Sequence, residues 1–326
     1  MKILIIRLSS IGDIVLTTPI VRCIHEQLKN IEIHYLTKSS FASVLISNPH
    51  IKKVHTLEDN ASTLVKELQE EKFDLVIDLH KNFRSYNIRS KLGVRGFSFP
   101  KLNFKKWLLV NFKINKLPQI HIVDRYFKAV EKLEVVNDYE GLDYFIPKNE
   151  EVDLRTLPLT HQKKYIAFVI GATYYTKRLP VEKIISICKK IQQPIILLGG
   201  KEDINNGIAI AQALGINVYN ACGKYSLNQS AFLIKQAHKV ITHDTGLMHI
   251  AAAFNKDIIS IWGNTLPDFG MTPYLRDDKK FFIAQVDHLS CRPCSKLGFQ
   301  KCPKKHFKCM QLIDENTITK MILDSK

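Results

Sequence analysis

The sequence predicts an α/β protein made of two Rossmann-like domains facing each other over a cleft. Three observations carry this. Short apolar runs alternate with helix-period segments through the first half, the same alternation restarts after a polar stretch, and 326 residues exceed what one hydrophobic core usually serves.

The first strand is Lys2 to Arg7, followed by one helix from about Asp13 to Lys29. Ile31 to Leu36 and Phe73 to Asp78 read as strands, with a helix between them around Ser62 to Glu70. Val94 to Phe99 is a further strand, and Ile122 to Leu133 has the periodicity of an amphipathic helix. Asn149 to Gln162 is polar, contains Pro158 and follows Pro147, which marks a linker. It divides the chain into domains at 1–155 and 156–326. The second run has strands at Tyr165 to Ile170, Pro194 to Leu198, Val218-Tyr219, Val240-Ile241 and Ile258 to Trp262. Its helices are Val181 to Ile191, Ile204 to Leu214, Leu227 to Gln236 and Met248 to Phe254. Neither half contains G-x-G-x-x-G, which argues against a nicotinamide or flavin domain.

Composition narrows the partners. The apolar share of 45% is that of a globular protein, and no apolar run approaches the ~18 residues of a membrane span. MKILIIRLSS has too short an apolar run for a secretory signal, so a cytoplasmic location is expected. Lys+Arg number 47 against 31 Asp+Glu, a formal charge of +16, which calls for an acidic partner or surface. From Leu79 to Val123 there is no acid, while Lys81, Arg84, Arg89, Lys105, Lys106, Lys113 and Lys116 are interleaved with Phe83, Tyr86, Phe104, Trp107 and Phe112. That pattern suits anionic lipid headgroups, a phosphorylated or carboxylated acceptor, or nucleic acid.

Three loops at strand ends carry chemistry. In Lys239 to Gly263 a short strand runs into Asp244-Thr245-Gly246 and a small-residue helix. The unpaired N–H groups of that helix start, with a glycine that lets an anion approach, form a phosphate site; capping by Asp244 or Thr245 explains the same residues equally. In R-L-S-S-I-G-D, Gly12 allows a tight turn and Asp13 is either a helix cap or a general base at the cleft. In G-A-T-Y-Y-T-K-R-L-P, Gly171 to Pro180, Lys177 would neutralise a leaving diphosphate held by the Thr245-Gly246 turn.

Taken together, S-S-I-G-D-x-x-x-T-x-P, A-T-x-x-x-K-R-x-P and D-T-G-L-M-H-I-A-A-A resemble the lipopolysaccharide heptosyltransferases, glycosyltransferase family 9. G-G-K-E-D at Gly199 to Asp203 and S-L-N-Q at Ser226 to Gln229 follow in the family's order. The resemblance implies a GT-B fold, with acceptor on the N-terminal domain and nucleotide-sugar on the C-terminal one. It implies Asp13 as catalytic base, Lys177 at the donor phosphates and Thr173 in the same loop. Thr245, Gly246, Leu247 and His249 would form the phosphate element, and Asp244 would touch the donor sugar. Ser10 and Gly12 would line the acceptor side, with Lys81 and Arg84 just beyond strand 73–78. An acidic contact to the nucleotide ribose would fall near Asn228, which is not acidic. The resemblance further implies ADP-heptose as donor, inversion at the anomeric carbon, and neither metal nor other cofactor. In keeping with that, the chain has no Asp-x-Asp. The acceptor would be an anionic lipid-linked glycan, met peripherally at the inner membrane surface by segment 81–116.

Cys291, Cys294, Cys302 and Cys309 crowd into one basic tail with His306. C-x2-C and two further cysteines have the ligand count of a zinc site, with reduced thiols or disulfides, the latter disfavoured in the cytoplasm, as alternatives; a structural role is expected and the metal is left open. Cys23, Cys188 and Cys222 read as core thiols. Three rival readings are a GT-B transferase with another donor or acceptor, a nucleic-acid-binding protein using segment 81–116 and the tail, and an inactive donor-binding homologue, against which the retained Asp13 and Lys177 argue. The second gives no reason for the S-S-I-G-D and D-T-G-L-M-H loops.

Overall fold

The computed structural model describes residues 1–58, 61–276 and 281–323. The chain divides into two units, one of residues 1–101 and 120–145 and one of 102–119 and 146–326.

The first unit opens with β1 (Lys2–Ile6), whose Ile3 to Ile6 are completely buried. The single helix expected after it is two: α1 (Ile11–Val15) and α2 (Thr18–Gln27). Pro19 is the reason. It lacks the N–H that a continuous helix needs and suits a first turn, so the chain restarts behind Thr17. β2 (Glu32–Lys38), β3 (Lys53–Leu57), α3 (Ala61–Glu70), β4 (Leu75–Asp78), α4 (Phe83–Leu92) and β5 (Gly96–Ser98) follow. The sheet is parallel throughout in the order β3-β2-β1-β4-β5.

Next in the chain, α5 (Asn103–Phe112) groups with the second unit, and α6 (Ile122–Phe127) with the first. The helix expected to reach Leu133 stops at Phe127 and gives way to a 3₁₀ turn at Glu131–Leu133. Segment 138–143 is fixed by Arg22, which donates to Asp138 (2.7 and 2.9 Å), to the Gly141 carbonyl (3.0 Å) and to Asp143.

In the second unit the expected linker is a chain of 3₁₀ turns at Lys148–Glu150, Leu154–Thr156 and Leu159–His161. β6 (Ile166–Val169), α7 (Val181–Lys189), β7 (Ile195–Leu198), α8 (Ile204–Leu214), β8 (Val218–Asn220) and α9 (Leu227–Gln236) follow. Then come β9 (Lys239–His243), α10 (Gly246–Ala253), β10 (Ile258–Trp262), β11 (Phe281–Gln285), α11 (Lys308–Gln311) and α12 (Glu315–Leu323). The six parallel strands run β11-β10-β9-β6-β7-β8, which is the dinucleotide-fold order read from the other edge. β6, β7, β9 and β10 are buried along their whole length, as strands covered on both faces must be. In each unit the winding reverses once, between β1 and β4 and between β6 and β9. Parallel α/β sheets bind ligands outside the carboxyl ends of the strands at that reversal.

Candidate functional site

In the first unit the loops after β1 and β4 flank the reversal. Asp13 lies in the first turn of α1, where Ser10 donates to its Oδ2 from N (3.2 Å) and from Oγ (2.8 Å). Its Oδ1 pairs with Arg7 Nη2 at 2.6 Å, and the carboxylate stays 23% exposed. Asp13 therefore caps the helix and still presents a partly open carboxylate; the two readings coexist. Arg7 is buried and donates to the carbonyls of Ser9 (2.8 Å) and Leu79 (2.7 Å) and to the Tyr126 hydroxyl (3.2 Å). It fastens the ends of β1 and β4 to α6 and sets Asp13 in place. Sequence reasoning missed it, although an arginine closing an all-apolar strand was a readable signal.

His80 was also missed. Asp78, at the end of β4, accepts from the backbone N–H of His80 (3.0 Å) and Lys81 (2.7 Å) and so shapes the turn that carries them. The buried His80 Nδ1 has no hydrogen-bond partner, and burial, reinforced by Arg7 and Lys101, holds the ring's pKa down at about 4. A neutral imidazole thus joins Ser9, Lys38, Asn82 and Arg84 around a cavity of about 470 Å³. Lys81 lines a neighbouring cavity of about 430 Å³ with Phe83, Tyr86 and Arg89, while its ammonium donates to the Phe99 carbonyl at 2.8 Å. Ser10 is exposed and Gly12 is buried inside α1.

In the second unit the loops after β6 and β9 flank the other reversal. Here the capping alternative fails. Thr245 stands at the N-cap of α10 with extended backbone, yet its hydroxyl makes no cap bond and is buried without a partner. The Asp244 carboxylate turns away, pairing with Lys177 Nζ at 2.6 Å and accepting from Thr265 Oγ1 at 2.9 Å. Lys177 also donates to the Asp244 carbonyl at 3.2 Å. A helix start, an orphaned hydroxyl and a cation are thus gathered at one place, which is the chemistry an anion needs. Gly246 and Leu247 open the helix, and His249 lies buried one turn in.

The Lys177 loop is braced on three sides. Thr176 accepts at Oγ1 from the Phe299 N–H (2.8 Å), and its own N–H donates to the Phe299 carbonyl (3.1 Å). Arg178 donates to the Ala172 carbonyl (2.7 Å) and pairs with the buried Asp203 (3.1 Å). His243 Nε2 accepts the Leu179 N–H at 3.0 Å. Gly171 must be glycine, because a Cβ there would stand 2.2 Å from Asp203 Oδ2. Thr173 is exposed, its carbonyl accepting from Gln300 at 3.1 Å.

Asn228 is buried beside a third residue that sequence reasoning missed. Glu150, on the first linker turn, accepts from Asn228 Nδ2 at 2.8 Å and from Ser226 Oγ. A carboxylate thus stands beside Asn228, although the sequence supplies it from far upstream.

Among the described residues, His34, His55 and Glu71 alone bring three ligand-type atoms within 4.8 Å of one another. Lys53 (2.6 Å) and Lys2 (3.0 Å) already neutralise Glu71 and hold its carboxyl down at about 2. The four tail cysteines are free thiols and form no such group. Burial pushes Cys294 up to about 11 and Cys309 up to about 12.

Burial also keeps His55 and His243, like His80, at about 4 against an ordinary 6.5. Unfolded, each ring takes its proton near 6.5, so their contribution to folding is complete above that pH and is lost as pH falls through about 4. Tm is expected to drop steadily between about pH 7 and pH 4, and His55→Gln to flatten that slope. An unchanged slope in differential scanning calorimetry would remove His55 from the account.

A model of glycosyltransferase family 9 (heptosyltransferase) matches residues 61–300, which include Lys177 and Thr245 and begin beyond Asp13. The lipopolysaccharide heptosyltransferase 1 of Campylobacter coli is 26% identical over an alignment of 355 positions, gaps included, covering 99% of this chain and 98% of that protein. Among solved structures, the E. coli ADP-heptose lps heptosyltransferase II is similar at a TM-score of 0.74 and 20% identity, covering 99% and 97%. E. coli heptosyltransferase WaaC with ADP-2-deoxy-2-fluoro heptose gives 0.70 at 19% identity over 100% of both chains. These likenesses show the two-sheet α/β fold of GT-B enzymes that the motifs implied. The chain belongs to glycosyltransferase family 9, the heptosyltransferases, and is a glycosyltransferase.

Proposed function

We propose that this enzyme moves a heptose from ADP-heptose to an anionic acceptor of the lipopolysaccharide inner core, by a single inverting displacement that needs no metal. The observation that carries the reading is the uncapped start of α10 beside Lys177. The amides of that turn, the Thr245 hydroxyl and the Lys177 ammonium supply the positive potential that a departing diphosphate requires. Asp244 shares Lys177 with the diphosphate and faces the donor sugar. Asp13, fixed by Arg7 and Ser10, takes the proton of the acceptor hydroxyl as that oxygen attacks the anomeric carbon. Inversion follows, since one displacement reverses the carbon. Lys38, Arg84 and the neutral His80 around the 470 Å³ cavity suit an acceptor rich in acidic groups.

Glu150 answers the absence of an acidic residue at position 228. Its carboxylate, held by Asn228 and Ser226, accepts from the vicinal hydroxyls of the donor's ribose. Glu150→Gln is expected to raise KM for the donor about tenfold with a smaller change in kcat, as loss of binding shared by ground and transition states does. Equal kinetics for both proteins would remove Glu150 from the donor site.

Heptose is tested directly by turnover of ADP-heptose and of UDP-sugars on purified inner-core acceptors, with and without EDTA. Transfer from ADP-heptose that survives EDTA is the expected result. Preference for a UDP-sugar, or loss of activity restored by added divalent ions, would overturn the reading. We place the enzyme in the cytoplasm, working peripherally at the inner membrane surface where a lipid-linked acceptor is presented.

A further inference from the structure

The helix α5 has two apolar faces, and only one of them is used by the fold. On the inner face, Leu109 is buried in a small cluster with Leu117 and Phe269, packed against by Leu102, Val110 and Leu266. Lys106 lies over the Phe269 ring at 5.8 Å, and Lys113 at the helix end donates to the Pro293 carbonyl at 2.7 Å. The helix is therefore firmly seated on the second unit.

The outer face repeats at 104, 107, 108 and 112, the spacing of an amphipathic stripe, and presents Phe104, Trp107, Leu108 and Phe112, with Asn111 among them turned back to donate to the Trp107 carbonyl at 2.9 Å. Phe104 is 70% exposed, Phe112 58% and Trp107 48%. The rings are not scattered. Phe104 stacks on Trp107 with centroids 6.0 Å apart, and Trp107 meets Phe112 edge-on at 5.2 Å. Ile114, just past the helix, is exposed as well. A continuous aromatic surface of this kind marks a binding face, whereas a lone exposed ring would mean nothing. The charge around it selects the partner. Lys105, next to Phe104 on the helix, and Lys116, four residues past its end, are exposed, and the chain carries no acid from Leu79 to Val123. Aromatic rings beside lysines, in a segment without an acid of its own and with the nearby Asp268 carboxylate taken up by Asn115, are the composition of a helix that lies in the headgroup region of an anionic bilayer.

We infer that the outer face of α5 is the element that inserts into the anionic membrane surface, with Phe104, Trp107 and Phe112 entering the headgroup boundary and Lys105 and Lys116 pairing with lipid phosphates. The inference deepens the proposal of a lipid-linked acceptor: it names the part of the enzyme that touches the bilayer.

The protein carries its own probe. Of its two tryptophans, Trp262 is buried at 1% exposure, so a change of emission on adding lipid reports Trp107. The full chain is mixed with phosphatidylcholine vesicles containing about one third phosphatidylglycerol, and with pure phosphatidylcholine vesicles. A blue shift and co-sedimentation are expected with the anionic vesicles only. Phe104→Ser with Phe112→Ser keeps the tryptophan and is expected to weaken binding at least about tenfold. Lys105→Glu with Lys116→Glu is expected to weaken binding to the anionic vesicles at least about tenfold. Near-UV circular dichroism confirms that each variant is folded, and the wild-type emission needs no variant. Three results would overturn the inference: no vesicle binding, binding with Trp107 emission unchanged, or a concentration-dependent blue shift without lipid accompanied by dimerisation, which would assign the face to a second copy. Because none of these readings uses turnover, their failure leaves the sugar-transfer proposal standing, and failure of transfer leaves them untouched.

Discussion

Asp13→Asn is expected to lower kcat by about a thousandfold while ADP still binds with wild-type affinity. The substitution is chosen for what it leaves in place. Asparagine keeps an oxygen that can accept from Ser10, so the start of α1 stays capped. It removes the negative charge facing Arg7 and the capacity to take a proton, and only the latter belongs to the chemistry. Asp13→Ala loses the cap as well, so its lower Tm would be a poor guide to mechanism. The contrast between the two separates base from cap, the ambiguity that the sequence leaves open. Isothermal titration with ADP and single-turnover transfer are the measurements. Turnover of Asp13→Asn within about threefold of wild type would remove Asp13 as the base.

Lys177→Ala is expected to cost about a hundredfold or more in kcat/KM, and here donor affinity should fall too. Two effects add. The cation that offsets diphosphate charge is gone, and Asp244, only 11% exposed, is left without its counter-ion beside the α10 start. An uncompensated carboxylate there repels the ligand. Adding Asp244→Asn to Lys177→Ala separates the two effects, and partial recovery of ADP affinity is expected. If the double variant binds ADP no better than the single one, the repulsion is absent and the whole loss belongs to the missing ammonium. If Lys177→Ala binds and turns over normally, the phosphate site lies elsewhere.

How far these sites were legible depends on the range of the interactions that build them. The strands β1, β6, β7, β9 and β10 were readable because each is a short apolar run buried along most of its length. The loops at their ends were readable because glycine, threonine and aspartate at such positions have few uses. Other elements were hidden. α4 and α5 mix basic residues with exposed rings so that no single buried stripe stands out, and both were read only as a basic segment. β3 (KVHTL) is broken by lysine and histidine, and β11 is an edge strand with exposed positions. Two of the three residues missed at the site, Arg7 and Glu150, take their role from partners distant in sequence. Arg7 reaches Leu79 and Tyr126, and Glu150 reaches Ser226 and Asn228. No local pattern encodes such meetings. The cap-or-anion question at Thr245 likewise needed a coordinate, because only the direction of a hydroxyl distinguishes the answers.

The clip between Thr176 and Phe299 sets an order of events during synthesis. The Lys177 loop leaves the ribosome long before the residue that closes it, so the donor side cannot be finished until the tail has emerged. α5 waits in the same way, since Phe269 and Leu266, which cover its inner face, are made much later. Until then a nascent chain exposes both apolar faces of that helix, and holding them apart from other chains becomes a task for the cell's chaperones. The residues of the first unit have all been made once Phe145 is reached, long before the second unit is complete.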